Sequence, residues 1–191
     1  MSKLYFRYGT MGSGKSIDLL KTSFNYKERG KKPLLITSSI DDRYGICKIT
    51  TRIGLSEKAY AFNQQDNIYD YIKNLSETVD VVLADEAQFF TKEQIMQLSD
   101  VVDILDIPVI CYGIRSDFQN KLFSGSAELL AIADKIEEIK TICECGKKAT
   151  CNLRINEGKV ITSGQQIMIG GNESYLPLCR KCFKKYITMP K

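Results

Sequence analysis

A glycine-rich segment near the start of the chain, from Gly9 to Ser16, has the residue types and spacing of a phosphate-binding loop. It matches Gly-x-x-x-x-Gly-Lys-Ser/Thr at every fixed position. Glycines let such a loop wrap closely, so that backbone N–H groups point at phosphate oxygens. Lys15 is expected to reach the outer phosphates, and the hydroxyl of Ser16 to bind Mg²⁺. The remaining members of the loop are Thr10, Met11, Gly12, Ser13 and Gly14. The segment predicts binding of a nucleoside triphosphate with magnesium.

Two adjacent carboxylates, Asp85 and Glu86, follow an apolar run at residues 81–84. A strand that ends in Asp places its carboxylate at the carboxyl edge of a parallel sheet, beside a phosphate loop, where it holds magnesium through water. The chain contains no histidine, so acid–base chemistry falls to carboxylates. Glu86 is therefore the best candidate for a general base acting on a hydroxyl or a water. Without the phosphate loop, two solvated carboxylates at a strand end would be the favoured interpretation.

The distribution of cysteines indicates a metal site in the last quarter of the chain. Five of the seven cysteines lie there, namely Cys143, Cys145, Cys151, Cys179 and Cys182. Cys179 and Cys182 have the two-residue spacing at which both thiolates turn toward one tetrahedral Zn²⁺. Cys143 and Cys145 are separated by a single residue, which is closer than usual, and Cys151 is an alternative to one of them. We expect a structural zinc ion rather than free thiols or a redox pair.

Glycine and aromatic residues elsewhere are candidates for holding a ligand. Gly170 and Gly171 allow unusual backbone dihedral angles, so main-chain groups there are able to close over a ligand. Tyr175 adds an aromatic face with a hydroxyl group. Taken alone, this segment is better explained as a hairpin turn followed by a packed tyrosine. Phe89 and Phe118, taken singly, are also more typical of a core than of ligand stacking.

Alternating strand and helix patterns must position these residues. Strands are predicted at residues 3–8, 33–38, 79–84, 108–112 and 136–142, and helices at 17–27, 67–75, 92–105 and 126–133. Residues 40–56 are predicted to form a polar loop with a weak strand, and Thr91 is the predicted N-cap of the third helix. The alternation predicts an α/β fold of the P-loop NTPase type, in which a parallel sheet carries helices on both faces.

The pattern changes near residue 140, which predicts two domains. Residues 1–140 are expected to form the nucleotide-binding domain. Residues 141–191, with a strand-like run at 159–162, are expected to form a small zinc-binding domain. A segment this short does not bury enough apolar surface for a core of its own, so the metal is expected to hold it together.

Composition and charge limit the classes of protein to which this chain can belong. A chain of 191 residues with 43% hydrophobic and 26% charged residues is typical of one globular domain with a small appendage. The net charge of +4 is too mild for a dedicated nucleic-acid binder. No apolar run approaches the ~20 residues that cross a bilayer, and the N-terminal residues lack the apolar region of a signal peptide. We expect a cytoplasmic protein with no nucleic-acid or membrane partner.

Taken in order, these motifs resemble the cytosolic type II thymidine kinase family. The order is a phosphate loop, Asp-Glu-Ala-Gln-Phe-Phe at 85–90, the segment 113–118, and Ile-Gly-Gly-x-x-x-Tyr before Cys-x-x-Cys. The resemblance covers nearly the whole chain and implies a lasso loop in the zinc-binding domain. It implies transfer of the γ-phosphate of ATP to the 5′-hydroxyl of thymidine or deoxyuridine, giving dTMP in nucleotide salvage. It also implies a homotetramer and feedback inhibition by dTTP.

The resemblance implies a role for each matching residue. Lys15 and Ser16 hold the phosphates and the metal, Asp85 organises magnesium, and Glu86 takes the proton of the 5′-hydroxyl. Asp41 and Arg43 match a pair near the acceptor and the phosphates. The positions that match the acceptor pocket and its lasso loop are Met11, Phe89, Ile114, Phe118, Met168, Ile169, Gly170, Gly171 and Tyr175. The matching zinc ligands are Cys143, Cys145, Cys179 and Cys182.

The sequence departs from the family pattern at three places. The first cysteine pair is shorter by one residue, so that Cys143 or Cys151 completes the zinc site. Asn152 stands where threonine is frequent near the base, and Arg115 stands where an acidic residue is frequent beside the pocket. Neither of these two changes alters the expected reaction.

Two other functions are less favoured by the sequence. One is a phosphate-loop ATPase or GTPase whose zinc ribbon binds RNA or a protein. The chain has no guanine-recognition motif, and its basic residues are not interleaved with stacking aromatic residues. The other is a structural zinc module with an inactive nucleotide site, which the intact phosphate loop and the pair Asp85 and Glu86 disfavour.

Overall fold

A six-stranded parallel sheet forms the centre of the molecule. The computed structural model describes residues 1–41, 47–168 and 174–188. The strands are β1 (Leu4–Tyr8), β2 (Pro33–Ser38), β3 (Lys48–Thr50), β4 (Ser56–Lys58), β5 (Tyr60–Phe62), β6 (Val81–Ala84), β7 (Val109–Gly113), β8 (Lys135–Glu138), β9 (Cys151–Asn156), β10 (Lys159–Ile161) and β11 (Tyr175–Leu178). The helices are α1 (Lys15–Lys27), α2 (Ile68–Lys73), α3 (Lys92–Leu105), α4 (Ser124–Ile132) and α5 (Arg180–Thr188), and a 3₁₀ turn spans Ala87–Phe89.

The main sheet has the strand order β5-β2-β6-β7-β1-β8, and every neighbouring pair is parallel. The predicted parallel sheet with helices is thereby confirmed. Because the strands are parallel, their carboxyl ends lie at one edge. The phosphate loop follows β1, Asp85 follows β6, and Ile114 follows β7, so all three reach the same edge.

Helices cover both faces of this sheet, because side chains of a strand alternate between faces. In β2, Leu34 and Ile36 join the core beneath α2, α3 and α4, whereas Leu35 joins the opposite core beneath α1. Leu19 of α1 and Leu98 of α3 are fully buried in these two cores. The two faces are therefore covered from different parts of the chain, as a doubly covered α/β sheet requires.

Four elements of the main sheet and its helices differ from the sequence prediction. Helix α1 begins at Lys15, inside the phosphate loop, and α4 begins two residues earlier than predicted. The last strand ends at Glu138 rather than at residue 142. Strand β5 was not predicted, because three residues are too few to establish a period, although it pairs with β2 at the sheet edge. Thr91 caps α3 as predicted, and Gln94 completes a capping box with it.

A second sheet, with the antiparallel order β10-β9-β11, follows the main one. Together with α5 it forms what we call the C-terminal unit. Its core is small and contains Leu153, Leu178 and Phe183 beside several cysteines. The boundary predicted at residue 140 lies just after β8, and the division into two domains stays a prediction. Among the described residues, no helix is both long and apolar enough to cross a membrane.

Gly125 provides a test of how α4 supports the 3₁₀ turn. A Cβ atom at this position would collide with the carbonyl oxygen of Ala87 and lie 2.7 Å from that of Phe90. Both obstacles are backbone, so the helix or the turn must shift. Gly125→Ala is expected to lower the free energy of unfolding by about 1–3 kcal/mol in denaturant titration. The matched control Ser124→Ala, at an exposed position of the same helix, should change it by less than ~0.5 kcal/mol. Equal stability of the two variants would contradict this close packing.

Candidate active site and metal centre

The phosphate loop has the backbone geometry that its glycines permit. Gly12 and Gly14 have φ of 72° and 85°, and Gly14 is the N-cap of α1. Residues that carry a side chain rarely adopt such φ angles, so these two positions need glycine. The N–H groups of the first turn of α1 are therefore directed into the loop, where a helix N-terminus favours an anion. Lys15 is buried, and its Nζ donates a hydrogen bond to the carbonyl oxygen of Thr10 at 2.9 Å.

Asp85 reaches the start of α1 from the end of β6. The hydroxyl of Ser16 donates a hydrogen bond to its Oδ2 at 2.8 Å. Burial, with the nearby charge of Glu86, raises the pKa of Asp85 to about 7, although the Ser16 hydrogen bond and Lys15 act in the opposite direction. A cation bound between these oxygens would stabilise the ionised carboxylate. A hydroxyl and a carboxylate are oxygen ligands that Mg²⁺ prefers, so this donor set fits magnesium.

Glu86, which follows Asp85 after the end of β6, has a strained backbone. Its backbone lies in the left-handed region, at φ 50° and ψ 38°, which is uncommon for a residue with a side chain. The Nε2 of Gln88 donates a hydrogen bond to Glu86 Oε2, and the backbone N–H of Ile114 donates to Gln88 Oε1 at 3.0 Å. Gln88 is buried, so its amide holds the Glu86 carboxylate against the end of β7.

Two cavities meet at Glu86 and Met11, which line both of them. The first, which we call the loop cavity, lies over the phosphate loop. Its lining residues are Met11, Gly12, Gly14, Lys15, Ser16, Ile17, Thr37, Asp41, Lys48, Ile49, Thr50, Thr51, Arg52, Asp85 and Glu86. The hairpin of β3 and β4 thus supplies Lys48 and Arg52, two cations that sequence reasoning did not single out. In the sequence, the one indication of such a role was that both residues lie in the predicted polar loop at 40–56. Arg43 lies outside the described residues.

The second cavity, which we call the aromatic cavity, lies between the main sheet and the C-terminal unit. Its lining residues are Met11, Glu86, Gln88, Phe89, Ile114, Ser116, Asp117, Phe118, Phe123, Asn152, Gln166, Ile167, Met168 and Tyr175. Met11, Phe89, Ile114, Phe118, Met168 and Tyr175, which the sequence proposed for one pocket, are therefore brought together. Asp41 instead lines the loop cavity. Ile169, Gly170 and Gly171 lie outside the described residues.

Phe123 and Asn152, which also line the aromatic cavity, make contacts that the sequence did not predict. Phe123, the N-cap of α4, meets Phe89 edge to face with ring centroids 5.9 Å apart. Asn152 of β9 accepts a hydrogen bond from the backbone N–H of Met11 at 2.8 Å, and it donates to the carbonyl oxygen of Ser116 at 3.4 Å. Asn152 therefore joins the C-terminal unit to the phosphate loop. No periodicity in the sequence signals such a contact, since it joins residues 141 positions apart.

Four cysteine sulfur atoms form a compact group at the base of the C-terminal unit. The Sγ atoms of Cys143, Cys145, Cys179 and Cys182 all lie within 4.8 Å of one another. A hydrogen bond from the backbone N–H of Cys182 lowers the pKa of the Cys179 thiol to about 7, which favours the thiolate. Four thiolates at such distances suit a closed tetrahedral zinc site. Cys151 is not part of the group, so the geometry favours Cys143 as the fourth ligand.

Comparison with known proteins gives the thymidine kinase family over nearly the whole chain. The family model described as thymidine kinase matches residues 2–183. The thymidine kinase of Mannheimia succiniciproducens is 55% identical over 188 residues, which cover 97% of this chain and 96% of that protein. The thymidine kinase of Haemophilus influenzae strain Rd is also 55% identical, with 97% of each chain covered. That of Francisella tularensis is 47% identical, with 97% and 98% covered.

Replacing one sulfur of the group tests the metal centre. Cys145→Ser should remove the zinc that the purified wild-type protein is expected to hold at about one ion per chain, because a closed site needs all four ligands. The unfolding temperature should fall by several degrees, since a ligand that binds only the native state stabilises it. Metal content by mass spectrometry and thermal unfolding measure the two effects. Cys47→Ser, at another exposed cysteine, is the matched control and should keep the metal. Retention of full zinc by Cys145→Ser would contradict the assignment.

Proposed function

This chain belongs to the thymidine kinase family, and from this membership we propose that it transfers the γ-phosphoryl group of ATP to the 5′-hydroxyl of thymidine or deoxyuridine. The observation that carries the proposal is the position of Glu86, which lines both the loop cavity and the aromatic cavity. A general base at this junction is within reach of an acceptor on one side and a triphosphate on the other. Phosphoryl transfer depends mainly on such positioning and on neutralising charge.

On the donor side, we propose that the phosphate loop holds the β- and γ-phosphates. Backbone N–H groups at the start of α1 and the ammonium of Lys15 would bind phosphate oxygens. Ser16 and Asp85 would hold Mg²⁺, which when bound neutralises charge on the phosphates. Arg43, Lys48 and Arg52 are proposed to add positive charge near the donor; the last two line the loop cavity.

In the proposed reaction, the 5′-oxygen of the nucleoside attacks the γ-phosphorus while the carboxylate of Glu86 accepts the proton of the 5′-hydroxyl. One O–P bond forms to the nucleoside, and the bond from the γ-phosphorus to the bridging oxygen breaks. ADP leaves with the electron pair, and dTMP is the product. The hydrogen bond from Gln88 supports this role, because it fixes the carboxylate before the acceptor binds.

On the acceptor side, the form of the aromatic cavity supports a flat, uncharged ring as ligand. Phe118 and Tyr175 offer aromatic faces, and Phe89 with Phe123 adds an edge-to-face pair. We propose that backbone groups from Met168 to Gly171 hydrogen-bond the edge of the pyrimidine. A site of this kind rejects purines, because its buried polar groups would be left without partners.

Several finer features stay proposals from the family resemblance. These are the homotetramer, feedback inhibition by dTTP in the acceptor site, and a cytoplasmic location. Inhibition by dTTP would be consistent with two cavities that share a wall, because a nucleoside triphosphate seated in the aromatic cavity would extend its phosphates toward Lys15.

An assay with ATP·Mg²⁺ and a panel of nucleosides tests the proposed function. We expect thymidine and deoxyuridine to be phosphorylated, with little ATP hydrolysis when no acceptor is present. Glu86→Gln should lower kcat by about 10²- to 10⁴-fold, because the amide cannot accept the proton. ATP binding should be retained in this variant, since Lys15 and the loop are unchanged.

Glu93→Gln is the matched control, because Glu93 is an exposed acid at the start of α3, away from both cavities. It should keep wild-type turnover. Hydrolysis of ATP at the same rate with and without nucleoside would overturn the kinase proposal. So would an absence of preference for thymidine across the panel.

A further inference from the structure

Arg154, in the middle of β9, is a buried arginine that lies just behind the aromatic cavity. Only 3% of it is exposed, and it is not among the residues that line the cavity. Burial of a guanidinium is costly unless each N–H group finds a partner. The alternation of side chains along β9 explains why Arg154 lies on the face toward the cavity. Leu153 and Ile155 contribute to the core of the C-terminal unit, whereas Asn152 and Arg154 lie on the opposite face, toward the cavity.

The guanidinium binds the chain segment that forms one wall of the cavity. Nη1 donates to the carbonyl oxygen of Gln165 at 2.7 Å, and Nη2 donates to that of Gln166 at 2.9 Å. The next two residues, Ile167 and Met168, line the cavity. Arg154 therefore fixes the backbone directly before these wall residues.

The same group also holds the hydroxyl of Tyr175. Nε and Nη2 donate to Tyr175 Oη at 3.1 and 2.7 Å, and that hydroxyl donates to the carbonyl oxygen of Met168 at 2.9 Å. The chain of bonds thus runs from Arg154 through Tyr175 to Met168. A tyrosine hydroxyl that accepts from a cation is polarised to donate more strongly.

On its other side, Arg154 stacks on Phe118. The Cζ atom lies 3.8 Å from the centre of the Phe118 ring, well within the range of a cation–π contact. One side chain therefore contacts Phe118 from the main-sheet side of the cavity and Tyr175 from the C-terminal unit. Within the described parts of the chain, the guanidinium contacts neutral oxygens and aromatic rings.

We propose that Arg154 is the positioning residue of the acceptor site, fixing the separation between Phe118, Tyr175 and the wall at 165–168 so that a pyrimidine fits between them. This rests on the proposed function. Arg154 would act through these neighbours without touching the acceptor. The planar fork of arginine is required, because the ammonium of lysine cannot stack on Phe118 while donating to several acceptors in fixed directions.

Arg154→Lys and Arg154→Met test the proposal, with kinetics and direct calorimetry of thymidine binding. Loss of charge-assisted hydrogen bonds predicts an increase of about 10- to 100-fold in the KM and the Kd for thymidine. The KM for ATP and the zinc content should stay at wild-type values, because the loop cavity and the cysteines are untouched. The kcat at saturating thymidine should change less than about threefold. Arg154→Lys should be the milder variant, since the ammonium of lysine keeps the positive charge and can still donate hydrogen bonds.

Tyr175→Phe gives a second test that does not alter the buried charge. It removes the hydroxyl that joins Arg154 to Met168, and it should also raise the Kd for thymidine. Because both residues act through the same bonds, the double variant Arg154→Met/Tyr175→Phe should raise the Kd by less than the product of the single effects. If the Kd of the double variant rises by the full product of the two single increases, the two residues do not act through the same bonds and the shared role is contradicted. Arg29→Lys, at an exposed arginine after α1, is the matched control and should bind thymidine normally.

The outcomes separate this inference from the proposed function. If the wild-type protein neither binds nor phosphorylates thymidine, the proposed function fails. If the wild type does both and Arg154→Lys matches it, only the role of Arg154 is overturned. A fall in zinc content, or equal increases in the KM of both substrates, would show that Arg154 supports the fold generally and would also overturn its role.

Discussion

The site depends on one geometric constraint, which is that parallel strands β1, β6 and β7 all end at the same edge of the sheet. The phosphate loop, Asp85 and Ile114 meet there because each follows one of these strands. The left-handed backbone of Glu86 is tolerated because Gln88 ties its carboxylate to the N–H of Ile114. Gly113 leaves room for this tie, since a Cβ atom there would lie 2.7 Å from Gln88 Oε1. Hydrogen bonds to the end of the neighbouring strand β7 thereby stabilise the strained backbone of Glu86.

One face of β9 connects the C-terminal unit to this edge of the sheet. Leu153 of β9 packs into the small core beside the cysteines, while Asn152 and Arg154 bind the phosphate loop and the walls of the aromatic cavity. A core this small would not by itself fix the strand firmly. The cysteine group lies in the same core, so a metal held there would stabilise the strand that carries both polar residues. A metal bound by these cysteines would therefore be linked through β9 to the proposed acceptor site.

Much of the main sheet could be predicted from local pattern. Strand β2 is a continuous apolar run, and α3 has a capping residue and a helical period, so their predicted bounds agree with the structure. The role of Arg154 could not be predicted. In a strand that alternates polar and apolar residues, a polar face is expected to meet water, and only the tertiary arrangement turns it toward a cavity. Motifs and the family resemblance named several residues that line the two cavities, such as Lys15, Phe118 and Tyr175. Neither a motif nor the resemblance named Lys48, Arg52 or Phe123, which also line them.

The proposed reaction must also favour a nucleoside hydroxyl over water, and the two cavities differ in a way that bears on this choice. A carboxylate at their junction activates either nucleophile, so Glu86 itself does not discriminate. The loop cavity is lined largely by polar and charged groups, whereas the aromatic cavity places Phe89, Phe118 and Tyr175 around the other side of the base. A nucleoside that fills the aromatic cavity displaces water from that side and presents its hydroxyl to Glu86. Discrimination then comes from how closely those walls fit a pyrimidine, and so from the residues that hold the walls in place.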